Sequence, residues 1–67
     1  MSPRYTRYGK PARVIILELL REERRPMKIR EIVEKTGVNY NTVRGRLQEL
    51  KKRGLVEVKP GGWVSLK

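Results

Sequence analysis

Apolar positions return along this 67-residue chain with two different periods. From Ala12 to about Arg24, and again from Ile29 to Arg53, they recur every three or four residues, the spacing that lines one face of an α-helix. From Leu55 to Lys59 and from Trp63 to Lys67 they alternate, the spacing of a half-buried β-strand. Met1 to Lys10, MSPRYTRYGK, carries almost nothing aliphatic and reads as a flexible basic arm, 1–10, ahead of a domain at 11–67.

The first periodic segment follows Pro11, a residue suited to the first turn of a helix. Val14, Leu17 and Leu20 form one stripe, and Ile15, Ile16 and Leu19 extend apolar coverage most of the way round. A helix with so little polar face is central in a core or shared with a partner. In a chain this short the expectation is a homodimer contact through some of Ile15, Ile16 and Leu19 of helix 12–24, the alternative being that the wing and the arm cover them. Arg24, Arg25 and Pro26 end the helix. Met27 and Lys28 make an extended link, at most a residue pair of strand. Lys28 is a poor cap for the helix that starts at Ile29, and Glu31 with Lys35 has the spacing of a surface ion pair.

The stretch IREIVEKTGVNYNTVRGRLQELKKR, Ile29 to Arg53, organises everything else. Ile29, Ile32 and Val33 give its first helix an apolar face, and Val43, Leu47 and Leu50 do the same for its second. Between them Gly37 supplies a left-handed residue without steric cost, and Asn39 is placed to cap the second helix by accepting a backbone N–H. Helix, glycine turn and capped second helix is the arrangement of a helix-turn-helix, whose second helix enters the major groove of DNA. With Val43, Leu47 and Leu50 inward, the outward positions are Asn41, Gly45, Gln48 and Lys52, flanked by Thr42, Arg44 and Glu49. Asn and Gln pair with adenine, Arg pairs with guanine, and Thr reaches a base edge or a phosphate. Gly45 weakens a helix by roughly 1 kcal/mol relative to alanine. Either it is a tolerated defect or it lets a ligand approach the backbone.

Gly54 is a natural stop after Lys51, Lys52 and Arg53, whose charges suit a helix C-terminus. Beyond it the alternation predicts a β-hairpin turning at Lys59, Pro60, Gly61 and Gly62, with Val56, Val58, Val64 and Leu66 on one face and Glu57, Lys59, Trp63 and Ser65 on the other.

Charge sharpens this reading. Seventeen Lys and Arg against seven Glu give +10, and the pI near 10.7 exceeds the value of about 9 at which a nucleic-acid partner is suspected. Residues 1–13 and residues 39–53 hold +4 each, so most of the excess sits in the arm and the second helix of the motif. A protein that is merely soluble or thermophile-like intersperses its signs. The arm, with Arg4 and Arg7 beside Tyr5 and Tyr8, is suited to laying arginines on phosphates or in the minor groove; a solubilising tail or a dimer strap are the other readings. Cys, His and Asp are absent, so disulfides, thiolate or imidazole metal ligands, and Cys- or His-based catalysis drop out. The expectation is a non-enzyme without cofactor, metal or small-molecule ligand. VIILELL is too short to span a bilayer and is interrupted by Glu18, and the first residues lack a signal-peptide core, which points to the cytoplasm and the nucleoid.

Three helices in this order followed by a two-stranded wing resemble the winged helix-turn-helix superfamily, over roughly residues 11–67. The clearest segment, IREIVEKTGVNYNTVRGRLQELKKRGLVEV, is similar to the recognition region of MarR-like, ArsR-like and related small bacterial and archaeal transcription regulators. Val43, Leu47 and Leu50 match the usual core positions and the Arg-Gly-Leu-Val ending at Val56 matches the helix-to-wing junction. Val33 departs from the pattern, standing where a small residue is usual, and implies slightly wider helix spacing. The implied fold is α+β, mainly α: a three-helix winged helix with a C-terminal hairpin. The implied partner is double-stranded DNA, with base contacts from Tyr40, Asn41, Thr42, Arg44 and Gln48 and phosphate contacts from Arg46, Lys51, Lys52 and Lys59. Trp63 after Pro-Gly-Gly is faintly similar to Z-DNA-binding winged helices, but their recognition Asn and Tyr align with Arg44 and Gln48 here, and Trp63 is expected to pack over the sheet. The rivals to sequence-reading regulation are an architectural, chromatin-like DNA binder and an RNA-, ribosome- or protein-binding winged helix.

Overall fold

The computed structural model describes residues 9–66, so Arg4, Arg7 and the tyrosines of the arm lie outside the described residues. Among those described, the order is α1 (Ala12–Glu23), α2 (Ile29–Thr36), α3 (Tyr40–Lys52), β1 (Val56–Lys59) and β2 (Gly62–Ser65). This is the expected architecture, three helices and an antiparallel hairpin.

Local chemistry sets most of the boundaries. Pro11, in extended backbone, offers its carbonyl to the amides of Val14 and Ile15 at 3.0 and 3.1 Å and starts α1 without a side-chain cap. Arg24 ends it in the left-handed region at φ 55, a conformation that costs a non-glycine residue on the order of 1 kcal/mol. Gly37, at φ 75, closes α2 by donating its N–H to the Val33 carbonyl at 2.8 Å. Thr36 seals the same turn from inside: its buried hydroxyl donates to the Ile32 carbonyl at 2.7 Å and accepts from the Val38 amide at 3.1 Å. Asn39 then caps α3, its Oδ1 accepting from the amides of Asn41 at 2.8 Å and Thr42 at 3.4 Å. At the far end Gly54 donates to the Lys51 carbonyl at 3.0 Å and Leu55 to the Leu50 carbonyl at 2.9 Å, the paired bonds of a Schellman motif.

One core joins all the elements. Ile16, Leu19 and Leu20 of α1, Ile32 of α2, Val43, Leu47 and Leu50 of α3, and Met27, Val38, Val56 and Trp63 form a single buried cluster. Val33 packs against its edge, half-buried, at the position where a small residue is the norm.

The assignment of Ile15, Ile16 and Leu19 to a homodimer contact does not hold. All three are buried within the chain, between 0% and 2% exposed, while Val14 and Leu17 of the supposed inner stripe are only half-buried. The reason is that α1 meets α3, α2 and β2 at once, so most of its circumference is covered without a second subunit.

The face assignment in the hairpin is also overturned. Val56 lies opposite Ser65, Glu57 opposite Val64, Val58 opposite Trp63 and Lys59 opposite Gly62. Because only Pro60 and Gly61 separate the strands, each even-numbered position faces an odd-numbered one, and cross-strand partners share a face. Val56 and Trp63 therefore point together into the core, and Val64 sits with Glu57. The expected packing role of Trp63 holds, at 8% exposure.

A third segment completes the sheet. Met27 and Trp63 exchange both backbone hydrogen bonds, Met27 N–H to the Trp63 carbonyl at 3.0 Å and Trp63 N–H to the Met27 carbonyl at 2.8 Å. The extended link expected at Met27 is thus a one-residue strand, and β2 is the middle of three. Gly62 makes this possible: at φ 139, a Cβ there would lie 2.4 Å from the Met27 carbonyl carbon and oxygen.

Candidate nucleic-acid interface

The site is the outer face of α3 together with what the fold brings beside it. Val43 and Leu47 are fully buried and Leu50 nearly so, which turns Asn41, Arg44, Gly45, Gln48, Lys51 and Lys52 to the outside, all exposed. Asn41, Arg44, Gly45 and Gln48 line one open hollow of about 410 Å³ on this face. Tyr40, at the first turn, is 49% exposed.

Thr42 is half-buried and commits its amide to the Asn39 cap. Arg46 sits on the flank of α3, its Nη1 donating to Glu49 Oε1 at 3.0 Å, while its Nε is buried without a hydrogen-bond partner. Its charge is thereby part-compensated within the helix, unlike that of Lys51 or Lys52 near the C-terminus.

The wing tip folds back further than the alternation alone implied. Lys59, Pro60, Gly62 and Trp63 share a groove of about 340 Å³ with Lys28, Ile29 and Arg30 at the start of α2 and with Tyr40 at the start of α3. Lys59 is therefore not isolated at a protruding tip. It belongs to a basic groove with Lys28 and Arg30, two residues that sequence reasoning did not place at the site. The only sequence signal for them was the Pro-Gly-Gly run, whose last glycine allows the backbone approach to Met27 that draws the wing toward α2. A larger hollow of about 560 Å³, between Leu20, Arg21 and Arg24 of the α1 end and Val64 and Ser65 of β2, lies away from the α3 face.

Other charges on the framework pair internally. Lys10 Nζ lies 3.1 Å from Glu18, fastening the segment ahead of α1 to that helix. Glu31, expected to pair with Lys35, is taken instead by Arg25, whose Nη1 donates to Oε1 at 3.1 Å and whose Nη2 donates to Oε2. That fork holds the Glu31 carboxyl below its ordinary value and the Arg25 guanidinium above its own, with Lys35 adding a smaller push on Glu31. The pairing is beyond helical spacing because it joins residues six apart across the link between α1 and α2.

Among the described residues no helix is long and apolar enough to cross a membrane, and no group of His, Cys, Asp or Glu side chains is placed to hold a metal ion. A capped α3 with an amide- and arginine-bearing outer face, two helices, α1 and α2, beneath it and a hairpin beside it define a winged helix-turn-helix DNA-binding domain. The model of the IclR helix-turn-helix domain matches residues 14–60, and the chain belongs to that family of DNA-binding domains of transcription regulators. Comparisons with curated proteins and with solved structures give no match.

Proposed function

We propose that this domain reads double-stranded DNA in the major groove with α3 and anchors itself on the backbone around it. Asn41, Arg44 and Gln48 meet base edges, with Tyr40 and Thr42 at the entry of the helix. Lys51, Lys52, Lys59 and Arg46 take phosphates, joined by Lys28 and Arg30 from the groove beside the wing, and Arg4 and Arg7 of the arm extend the footprint. Regulation of transcription at a preferred sequence, on chromosomal DNA in the cytoplasm, is the role this reading gives it.

The observation that carries the proposal is the division of α3. Its apolar side is sealed, with Val43, Leu47 and Leu50 at 0% to 2% exposure, and its opposite side presents the hydrogen-bonding groups of Asn41, Arg44 and Gln48 in an open hollow. A helix surface without a partner does not need amides and arginine gathered around a glycine.

Selection from a random duplex pool tests it. A preferred sequence bound about a thousandfold or more above random duplex supports base reading. Similar affinity for all duplexes makes the protein an architectural binder, and a preference for RNA removes the duplex reading. With five to eight basic groups on phosphates, log K plotted against log salt falls with a slope of about −4 to −7; a slope near zero overturns nucleic-acid binding altogether.

A further inference from the structure

The glycines of this domain fall into two kinds. Gly9, Gly37 and Gly54 have φ of 68, 75 and 75, where side chains other than glycine are strained. Gly62 combines φ 139 with a backbone 2.4 Å from where its Cβ would stand, and a Cβ on Gly61 would press on Pro26 at 3.1 Å. Gly45 has neither constraint. It lies within α3, its φ is not positive, and a Cβ built on it meets nothing within 4 Å. Folding gives no reason for glycine at this position, and helix propensity argues against it.

What distinguishes Gly45 is what surrounds it. Asn41 one turn before, Arg44 beside it and Gln48 nearly one turn after wall the same open hollow, and Gly45 is its floor. The floor lacks just a methyl-sized group, while the walls are long and polar. In the major groove the bases present hydrogen-bonding edges and one apolar projection, the C5 methyl of thymine. Asn and Gln side chains pair bidentately with adenine, so an A·T pair read from a wall of this hollow brings a thymine methyl close to its floor.

We propose that Gly45 is a specificity-determining residue, a notch in α3 that receives the C5 methyl of one thymine in the target duplex. This rests on the major-groove reading above. The absent Cβ lets that thymine approach the helix backbone, and Asn41 or Gln48 holds an adenine next to it. Helix stability is given up at Gly45 for a closer fit to one base, and alanine there fills the notch.

The test pairs a protein change with a DNA change, using the full chain and the duplex obtained by selection. Each thymine is replaced in turn by deoxyuridine, which deletes only the methyl. At one position the wild type should lose about fourfold in affinity, the value of one buried methyl group. Gly45→Ala should melt about 4 to 8 °C higher than wild type, yet bind the thymine duplex at least about tenfold more weakly. It should recover most of that loss on the duplex carrying deoxyuridine at the same position. Cytosine placed there should bind worse than 5-methylcytosine with the wild type, and the order should reverse with Gly45→Ala. Equal binding of the thymine duplex by wild type and Gly45→Ala overturns the notch while leaving base reading intact. So does a loss in Gly45→Ala that no removal of a methyl restores. If selection yields no preferred duplex, the base-reading proposal and the notch fall together.

Discussion

α1 and α3 are nearly equal in length, 12 and 13 residues, and lie against each other, yet they use their surfaces in opposite ways. α1 buries Ile15, Ile16, Leu19 and Leu20 and is covered by α2, α3 and β2. α3 buries the narrower stripe of Val43, Leu47 and Leu50 and leaves the remainder polar and open. They differ at their starts as well. α1 begins on Pro11 without a side-chain cap, whereas α3 begins on Asn39, which closes two amides by itself. Packing specifies α1, and local hydrogen bonds specify α3. In a domain this small, a helix that must keep one side free for a ligand has less burial to hold it, and caps supply part of what packing withholds.

This contrast can be broken most forcefully from the α1 side. Leu20→Ala should cost about 2 to 5 kcal/mol, comparable to the roughly 3 to 5 kcal/mol a core of this size supplies, so urea denaturation should find the variant largely unfolded. Gln48→Ala on the open face of α3 should stay within about 0.5 kcal/mol of wild type. A reversal of that order would mean that α3 is not divided as described.

Within α3 the outer positions should differ among themselves. Arg44→Ala should lose about 1 to 3 kcal/mol of discrimination at one base pair, and Lys52→Ala should weaken all duplexes alike while reducing the salt slope by about 0.9. Quantitative binding to a panel of single-base variants distinguishes them. Uniform weakening in both would assign Arg44 to the phosphates.

The capping difference predicts a smaller effect. Asn39→Ala should cost about 1 kcal/mol, and Pro11→Ala, which removes no side-chain hydrogen bond, should cost less. Thermal unfolding at matched concentration checks the ranking, and equal shifts would deny that α3 depends on its cap.

The smallest expected effect concerns the join between α1 and α2. Glu31 is held below its ordinary 4.5 mainly by its hydrogen bonds from Arg25. A carboxyl depressed in the folded state contributes stability that is present above its ordinary value and is lost as pH falls through the folded one. The melting-temperature gap between wild type and Arg25→Gln should therefore be constant from neutral pH down to about 4.5 and narrow below it. A gap that widens in acid would contradict the pairing.

The helix-turn-helix was legible because its instructions are local: Gly37, Asn39 and Gly54 act within a turn of where they stand, and the apolar period covers the rest. The hairpin was legible as an element but not in register. Alternation marks two faces on each strand, and the even number of residues in the turn sets even-numbered positions opposite odd-numbered ones, which puts Trp63 with Val58 and Val64 with Glu57 instead of grouping the valines together. The burial of Ile15, Ile16 and Leu19 was misread for a related reason. Their number exceeds what one neighbour covers, and the other neighbours, α2 and β2, arrive through contacts distant in sequence. Lys28 and Arg30 were missed because the wing reaches them only through the Gly62 approach to Met27. The outer face of α3 was the easiest part of the candidate site to read, since three buried residues on one helix fix where every other side chain of that helix points.

Met27 and Trp63, joined by two backbone hydrogen bonds, turn the chain between them into a closed ring that contains all of α2, the turn and α3. α1 lies outside this ring in sequence and packs against α2, α3 and β2. Folding then has a natural order, in which the two helices of the motif form from near neighbours and the clasp shuts only when residues far apart in sequence meet. The amide protons of Met27 and Trp63 are latches on that ring, and their hydrogen exchange should report its opening separately from fraying of the helix ends.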